Sequence, residues 1–111
     1  MKVKFSNKGT TLIASIIGEL DHHSADYVKQ KIDNELIKSS TKNLIFDFSN
    51  LTFIDSSGIG VIMGRYKYIT KLNGKALIVN ICNQTSRMLE ISGIFNIIPV
   101  YDNIETAINI M

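Results

Sequence analysis

The residues able to do chemistry gather in one string, Phe53-Ile54-Asp55-Ser56-Ser57-Gly58-Ile59-Gly60, placed where a strand hands over to a helix. Free backbone N–H groups and the positive end of the helix dipole suit such a place to negative charge. A dinucleotide site needs Gly-x-Gly-x-x-Gly, but here the third glycine comes one position late, at Gly64, and no acid lies between Ser56 and Arg87 to hold a ribose. A P-loop needs Lys-Ser/Thr after its last glycine, and none follows. A hydrolase elbow needs Gly-x-Ser-x-Gly, whereas Ile54-Asp55-Ser56-Ser57-Gly58 supplies only the second glycine. The only histidines, His22 and His23, lie far upstream, so no downstream base completes a triad. Two readings fit the string better. Asp55, Ser56 or Ser57 caps the helix while the glycines permit close helix–sheet packing. Alternatively, an exposed hydroxyl in this loop accepts a phosphate, which adds about −1.5 to −2 charge and three acceptor oxygens.

A second string, Gly18-Glu19-Leu20-Asp21-His22-His23, holds carboxylates and two imidazoles within a few positions. Adjacent histidines usually point apart, and no His-x-x-x-His spacing occurs, so no metal site is expected. The plain reading is a polar strand-to-helix loop capped by Asp21 or Ser24. In an α/β sheet this loop and the 55–58 loop both lie at the carboxyl ends of strands, on one rim. Residues 56–89 carry Arg65, Lys67, Lys71, Lys75 and Arg87 and no acid before Arg87, which a solvated helix face explains as well as a partner does. Cys82 follows a strand and reads as a packed small hydrophobe.

The elements that must position these strings follow from periodicity. Val3 and Phe5 alternate with Lys2, Lys4 and Ser6, and Asn7-Lys8-Gly9-Thr10 supplies a turn. Leu12 to Ile17 predicts a more buried second strand. Ala25, Val28, Ile32 and Leu36 give the apolar stripe of a first helix. Leu44 to Phe48 reads as a central strand, and after Asn50 to Asp55 a helix carries Ile59, Ile62, Tyr66 and Ile69 on one face. Asn73-Gly74 ends it, Ala76 to Ile81 is the next strand, and Thr85 to Ser92 is a short helix stopped by Gly93. Ile97 to Tyr101 is a strand that Pro99 confines to an edge, and Asp102-x-x-Glu105 opens a last helix with Ile104 and Ile108. The order β-β-α-β-α-β-α-β-α predicts an α/β domain over residues 1–111. Its sheet is mainly parallel or mixed, with four to five strands, right-handed crossovers and about four helices.

With 111 residues, 45% hydrophobic and 20% charged, the chain has room for one modest core. A net charge of +2 is too small for a phosphate-tracking nucleic-acid binder. One cysteine fits a reducing, cytoplasmic setting, and the start lacks the apolar run of a signal peptide. No apolar run is long enough to span a membrane.

The strings Gly18-Glu19-Leu20-Asp21-His22-His23, Phe53 to Val61 and Gly64-Arg65-Tyr66-Lys67 resemble those of the anti-sigma factor antagonists of the STAS family. The resemblance runs through essentially the whole chain, including Ser92-Gly93-Ile94-Phe95. Asp-Ser-Ser-Gly-x-Gly marks the broad family, and Asp-His-His and Gly-Arg-Tyr-Lys point to its sporulation subgroup. The resemblance implies an α/β sandwich that is a substrate and binding module, not an enzyme. It implies that the unphosphorylated form binds an anti-sigma factor that is also a serine kinase and so frees a sigma factor. By the same resemblance, phosphorylation at Ser56 is expected to end that binding and a serine phosphatase to restore it. Asp55, Ser57, Gly58 and Ile59 then shape the loop that meets the kinase, and Glu19, Asp21 and His22 supply the adjacent rim. The resemblance also implies that ATP belongs to the partner and that this chain needs no cofactor and no metal. An antagonist in another sigma pathway, such as general stress response, is the alternative. A small serine hydrolase or nucleotide-binding enzyme is the option from a different class.

Overall fold

The computed structural model describes residues 1–111. In chain order the elements are β1 (Lys2–Lys8), β2 (Thr11–Leu20), α1 (Ala25–Lys38), β3 (Asn43–Asp47), β4 (Leu51–Ile54) and α2 (Ser56–Lys71). They continue with β5 (Ala76–Val79), α3 (Asn83–Ser92), a 3₁₀ turn (Ile94–Asn96), β6 (Val100–Tyr101) and α4 (Ile104–Ile110). The sheet runs β1-β2-β3-β5-β6, with β4 paired to β2. Only the β1–β2 hairpin is antiparallel, closed by Gly9 at φ 62°, and every other pairing is parallel. The expected α/β class, mostly parallel sheet and four helices are all present.

Strand alternation divides the core in two. Leu12, Ala14, Ile16, Leu44, Phe46, Ala76 and Ile78 face Val28, Ile32 and Leu36 of α1, Val61, Ile62 and Ile69 of α2, and Leu89 of α3. Their strand neighbours Ile13, Ile45, Leu77 and Val79 face the other way and pack on Ala107 of α4. The predicted α1 stripe is buried at Val28, Ile32 and Leu36. On α2, Ile62 and Ile69 are buried, while Ile59 and Tyr66 lie half-buried against the core.

The structure has six strands, more than the four to five expected. The addition is β4, in the segment read only as the approach to the helix. Leu51 and Ile54 are buried while Thr52 and Phe53 between them are exposed, a pattern without the period of two that marks a strand. The strand exists because β2 runs on to Leu20, past a bulge at Gly18–Glu19, and so offers an edge beyond the end of β3. Gly18 takes φ 107° there, and its N–H donates to Asn50 at 3.0 Å. The last helix is capped by Asn103, one residue later than expected, whose side chain accepts from the Thr106 N–H at 2.8 Å. Gly93 ends α3 in the left-handed region at φ 80°, as read, and β6 with Pro99 before it forms the far edge.

Candidate functional site

β2 and β4 are parallel neighbours, with Leu20 beside Ile54, so the loops that follow them leave the sheet side by side. The Asp55 N–H donates to the Leu20 carbonyl at 3.2 Å, which carries the β2–β4 contact to the first residue of the loop. Asp55 then caps α2. Its Oδ1 accepts the N–H groups of Ser57 at 2.9 Å and Gly58 at 3.1 Å, two of the donors a helix start leaves unpaired. Its Oδ2 accepts the His22 N–H at 3.1 Å and lies 3.6 Å from His22 Nδ1. One carboxylate therefore fastens the helix to the neighbouring loop. Partial desolvation works to raise the Asp55 pKa, and the N–H donors of Gly58, His22 and Ser57 outweigh it, so the carboxyl lies below its ordinary value.

The 18–23 loop is organised the same way. Asp21 Oδ1 accepts from the backbone of His23 at 2.9 Å and Ser24 at 3.2 Å. Desolvation again opposes and these bonds, from His23 and then Ser24, prevail, so Asp21 is also held below the usual carboxylate range. Ser24 stands at the N-cap of α1, yet its hydroxyl bonds no helix N–H. It donates to the Glu19 carbonyl at 2.8 Å and accepts the Asp21 N–H at 3.0 Å, drawing the loop into a closed turn. The expectation that Asp21 or Ser24 caps α1 therefore gives way to a lasso formed by both. The His22 and His23 rings do not point apart as expected, for their centroids are 3.9 Å from each other.

Gly58 has no freedom. A Cβ there would stand 2.5 Å from the Leu20 carbonyl oxygen and 2.8 Å from Ile54 Cγ1, so only glycine lets α2 settle on the ends of β2 and β4. The sequence reading of close helix–sheet packing holds for this glycine. It fails for Gly60 and Gly64, where an added Cβ meets nothing within 4 Å.

Ser56 is the first residue of α2 and is exposed, whereas Ser57 is half-buried. Glu19 and His22 are exposed, and Asp21, Asp55 and Ile59 are half-buried. All eight residues singled out in the sequence are thus brought to one rim, with Gly58 beneath it and Ile59 partly engaged with the core. The rim has one exposed hydroxyl at a helix start, beside a carboxylate already committed to four interactions. That arrangement can receive a modifying group without unfolding. The rim's carboxylates and imidazoles do not form a group of three or more ligands that could hold a metal ion.

Sequence reading gave Asp47 no role. It is buried at the end of β3, where its carboxylate accepts from Ser15 Oγ at 2.9 Å, the Ser49 N–H at 3.0 Å and Asn80 Nδ2 at 3.1 Å. Burial works to raise its pKa, and these donors, Asn80 foremost, pull it below the ordinary value. The cluster fixes the turn from which β4 departs. Its only signal in the sequence is an acid inside an otherwise apolar strand. Of the basic run, Arg65 is turned inward, its Nε 3.1 Å from Asp33 of α1.

The family model for the STAS domain matches residues 2–107. An anti-sigma F factor antagonist of Paenibacillus polymyxa is 36% identical over 93% of this chain and 88% of its own length. An anti-sigma-B factor antagonist of Listeria monocytogenes is 27% identical over 85% of this chain and 81% of its own. Among solved structures, the anti-sigma factor antagonist SpoIIAA in its unphosphorylated form superposes with a TM-score of 0.81 at 25% identity, over 97% of this chain and 94% of that one. The phosphorylated form of the Bacillus protein gives 0.72 at 25% identity, over 97% of each chain.

Proposed function

Because this chain belongs to the STAS-domain family, as an anti-sigma factor antagonist and not an enzyme, we propose that it works as a phosphate-gated release factor in the sporulation branch. In this reading the rim of residues 19–23 and 55–59 binds an anti-sigma factor that is also a serine kinase, and binding frees the sigma factor. The kinase, with its own ATP, phosphorylates Ser56 and binding ends, and a serine phosphatase returns the chain to its active form. The observation that carries the reading is the contrast at the start of α2. Ser56 is exposed and Ser57 half-buried, on a turn that Asp55 already holds closed. The higher identity to the sigma F antagonist, and the Asp21-His22-His23 string on the rim itself, favour sporulation over the stress pathway.

The physics of the gate is local. A phosphate on Ser56 meets the N-terminal end of the α2 dipole, which favours it, and the ionised Asp55 carboxylate, which opposes it. The loop stays folded because three backbone N–H groups, those of Ser57, Gly58 and His22, already hold Asp55 in place. Binding is lost at the interface, where a dianion must shed water against a surface shaped for a hydroxyl. A penalty of roughly 4 kcal/mol weakens binding about a thousandfold.

The test is phosphate mapping. The purified chain with ATP alone should remain unmodified, and adding the cognate kinase should introduce one phosphate, on Ser56. Label without the kinase, or label on Ser57 that persists in Ser56→Ala, overturns the assignment.

A further inference from the structure

We infer that the outer edge of β1 and the groove it forms with α1 are a docking site for an extended peptide of another protein, with alternating acidic and apolar side chains. β1 ends the sheet, so every second residue along its seven carries a backbone N–H and C=O directed away from β2. Beside that free edge lies a groove of about 570 Å³. Val3 and Phe5, both half-buried, line its strand side, and Ile37, 79% exposed, stands on its helix side with Lys31, Glu35 and Lys38. An edge strand running beside a helix, with apolar side chains between them, is the geometry in which a peptide adds as a further strand.

Charge selects the occupant. Val3 and Phe5 pack toward the main core, so Lys2, Lys4 and Lys8 project from the opposite sheet face, and all three are exposed. A second copy pairing β1 to β1 would set these lysines against their own counterparts, which is destabilising across strands. A peptide with Asp or Glu at alternate positions meets the lysine row with that face. Its remaining side chains then fall on Val3, Phe5 and Ile37. Lys31 and Lys38 outnumber Glu35 on the helix wall and favour the same sign of ligand. Six or seven residues of peptide, at about 3.3 Å each, match the length of the strand.

The probe is a fluorescein-labelled, acetylated heptapeptide alternating Glu and Val, titrated into the full chain by anisotropy and by amide NMR. Saturable binding is expected, weakening with salt, with shifts confined to residues 2–8 and 31–38. Lys2→Glu combined with Lys4→Glu should weaken it about tenfold or more, since each cross-strand pair changes from attraction to repulsion. Methylating alternate peptide nitrogens in the register that faces β1 should abolish it, a control that leaves the protein untouched. No binding, equal binding by peptides methylated in either register, or shifts at the 55–59 rim instead of β1 overturns the inference. So does concentration-dependent dimerisation that perturbs β1 without peptide, which would assign the edge to a second copy. Because β1 and Ser56 are separate, failure here leaves the phosphate gate standing, and failure at Ser56 leaves this site standing.

Discussion

Gly58 and Gly60 stand two positions apart on α2, and a methyl group added to each meets different surroundings. At Gly58 it would lie 2.5 Å from the Leu20 carbonyl, whereas at Gly60, and one turn later at Gly64, it meets nothing within 4 Å. The first turn of the helix is fixed from inside the molecule by the strand ends beneath it and by the Asp55 carboxylate. The face beyond it carries no internal reason for glycine, although glycine in a helix costs about 1 kcal/mol relative to alanine. The lesson is that one motif combines two functions. Asp55 and Gly58 build the platform, and Ser56 is displayed on it.

The sharpest way to break the comparison is Gly58→Ala. Overpacking against backbone oxygen should cost about 2–3 kcal/mol in denaturant unfolding, and a loss below about 0.5 kcal/mol would remove the claim of close approach. Asp55→Ala comes next, with about 1–2 kcal/mol lost as the cap disappears. Its signature is faster hydrogen exchange at His22 as well as at Ser57 and Gly58, because one carboxylate serves all three. Gly60→Ala should act with the opposite sign, adding up to about 1 kcal/mol of stability. A loss instead would mean that Gly60 is packed after all.

The smallest effect on folding is expected at Asp21. Asp21→Asn keeps a side-chain acceptor for the turn, so neutral-pH stability should change by less than about 0.5 kcal/mol while affinity for the anti-sigma partner falls. Acid separates the charge from the turn. Asp21, with a carboxyl pKa lowered below 3.8, contributes stability above that value and loses it as pH falls through the folded-state pKa. The variant should therefore show a shallower loss of stability as pH falls below about 4. An unchanged acid limb with unchanged affinity would make Asp21 incidental to both.

What the sequence disclosed and what it hid follow the same division. The stripe at Val28, Ile32 and Leu36, the apolar run Leu44 to Phe48 and the Gly93 stop are periodic or local signals, and each stands where it was read. The rim was legible because Asp, Ser and Gly at a strand–helix junction have few other uses. β4 was hidden because two exposed residues lie between its buried ends, and its partner is the far end of a strand whose extension past Gly18 no local pattern announces. The ties across the rim, Asp55 to His22 and Ser24 to Glu19, were hidden too. In each tie one partner is a backbone group, which carries no residue code, so only the fold reveals which side chain it meets. The turn chemistry around Asp21 was read as a helix cap for the same reason.

The most direct test of the central claim is amide chemical-shift mapping of the labelled chain with its anti-sigma partner, before and after phosphorylation of Ser56. The partner should perturb residues 18–23 and 55–62 in the unmodified chain and nothing once Ser56 is phosphorylated. Phosphorylation alone should shift only those same two segments. Shifts spreading through β3 and β5, or a partner that still binds the phosphorylated rim, would contradict a local gate and require a change of the whole fold.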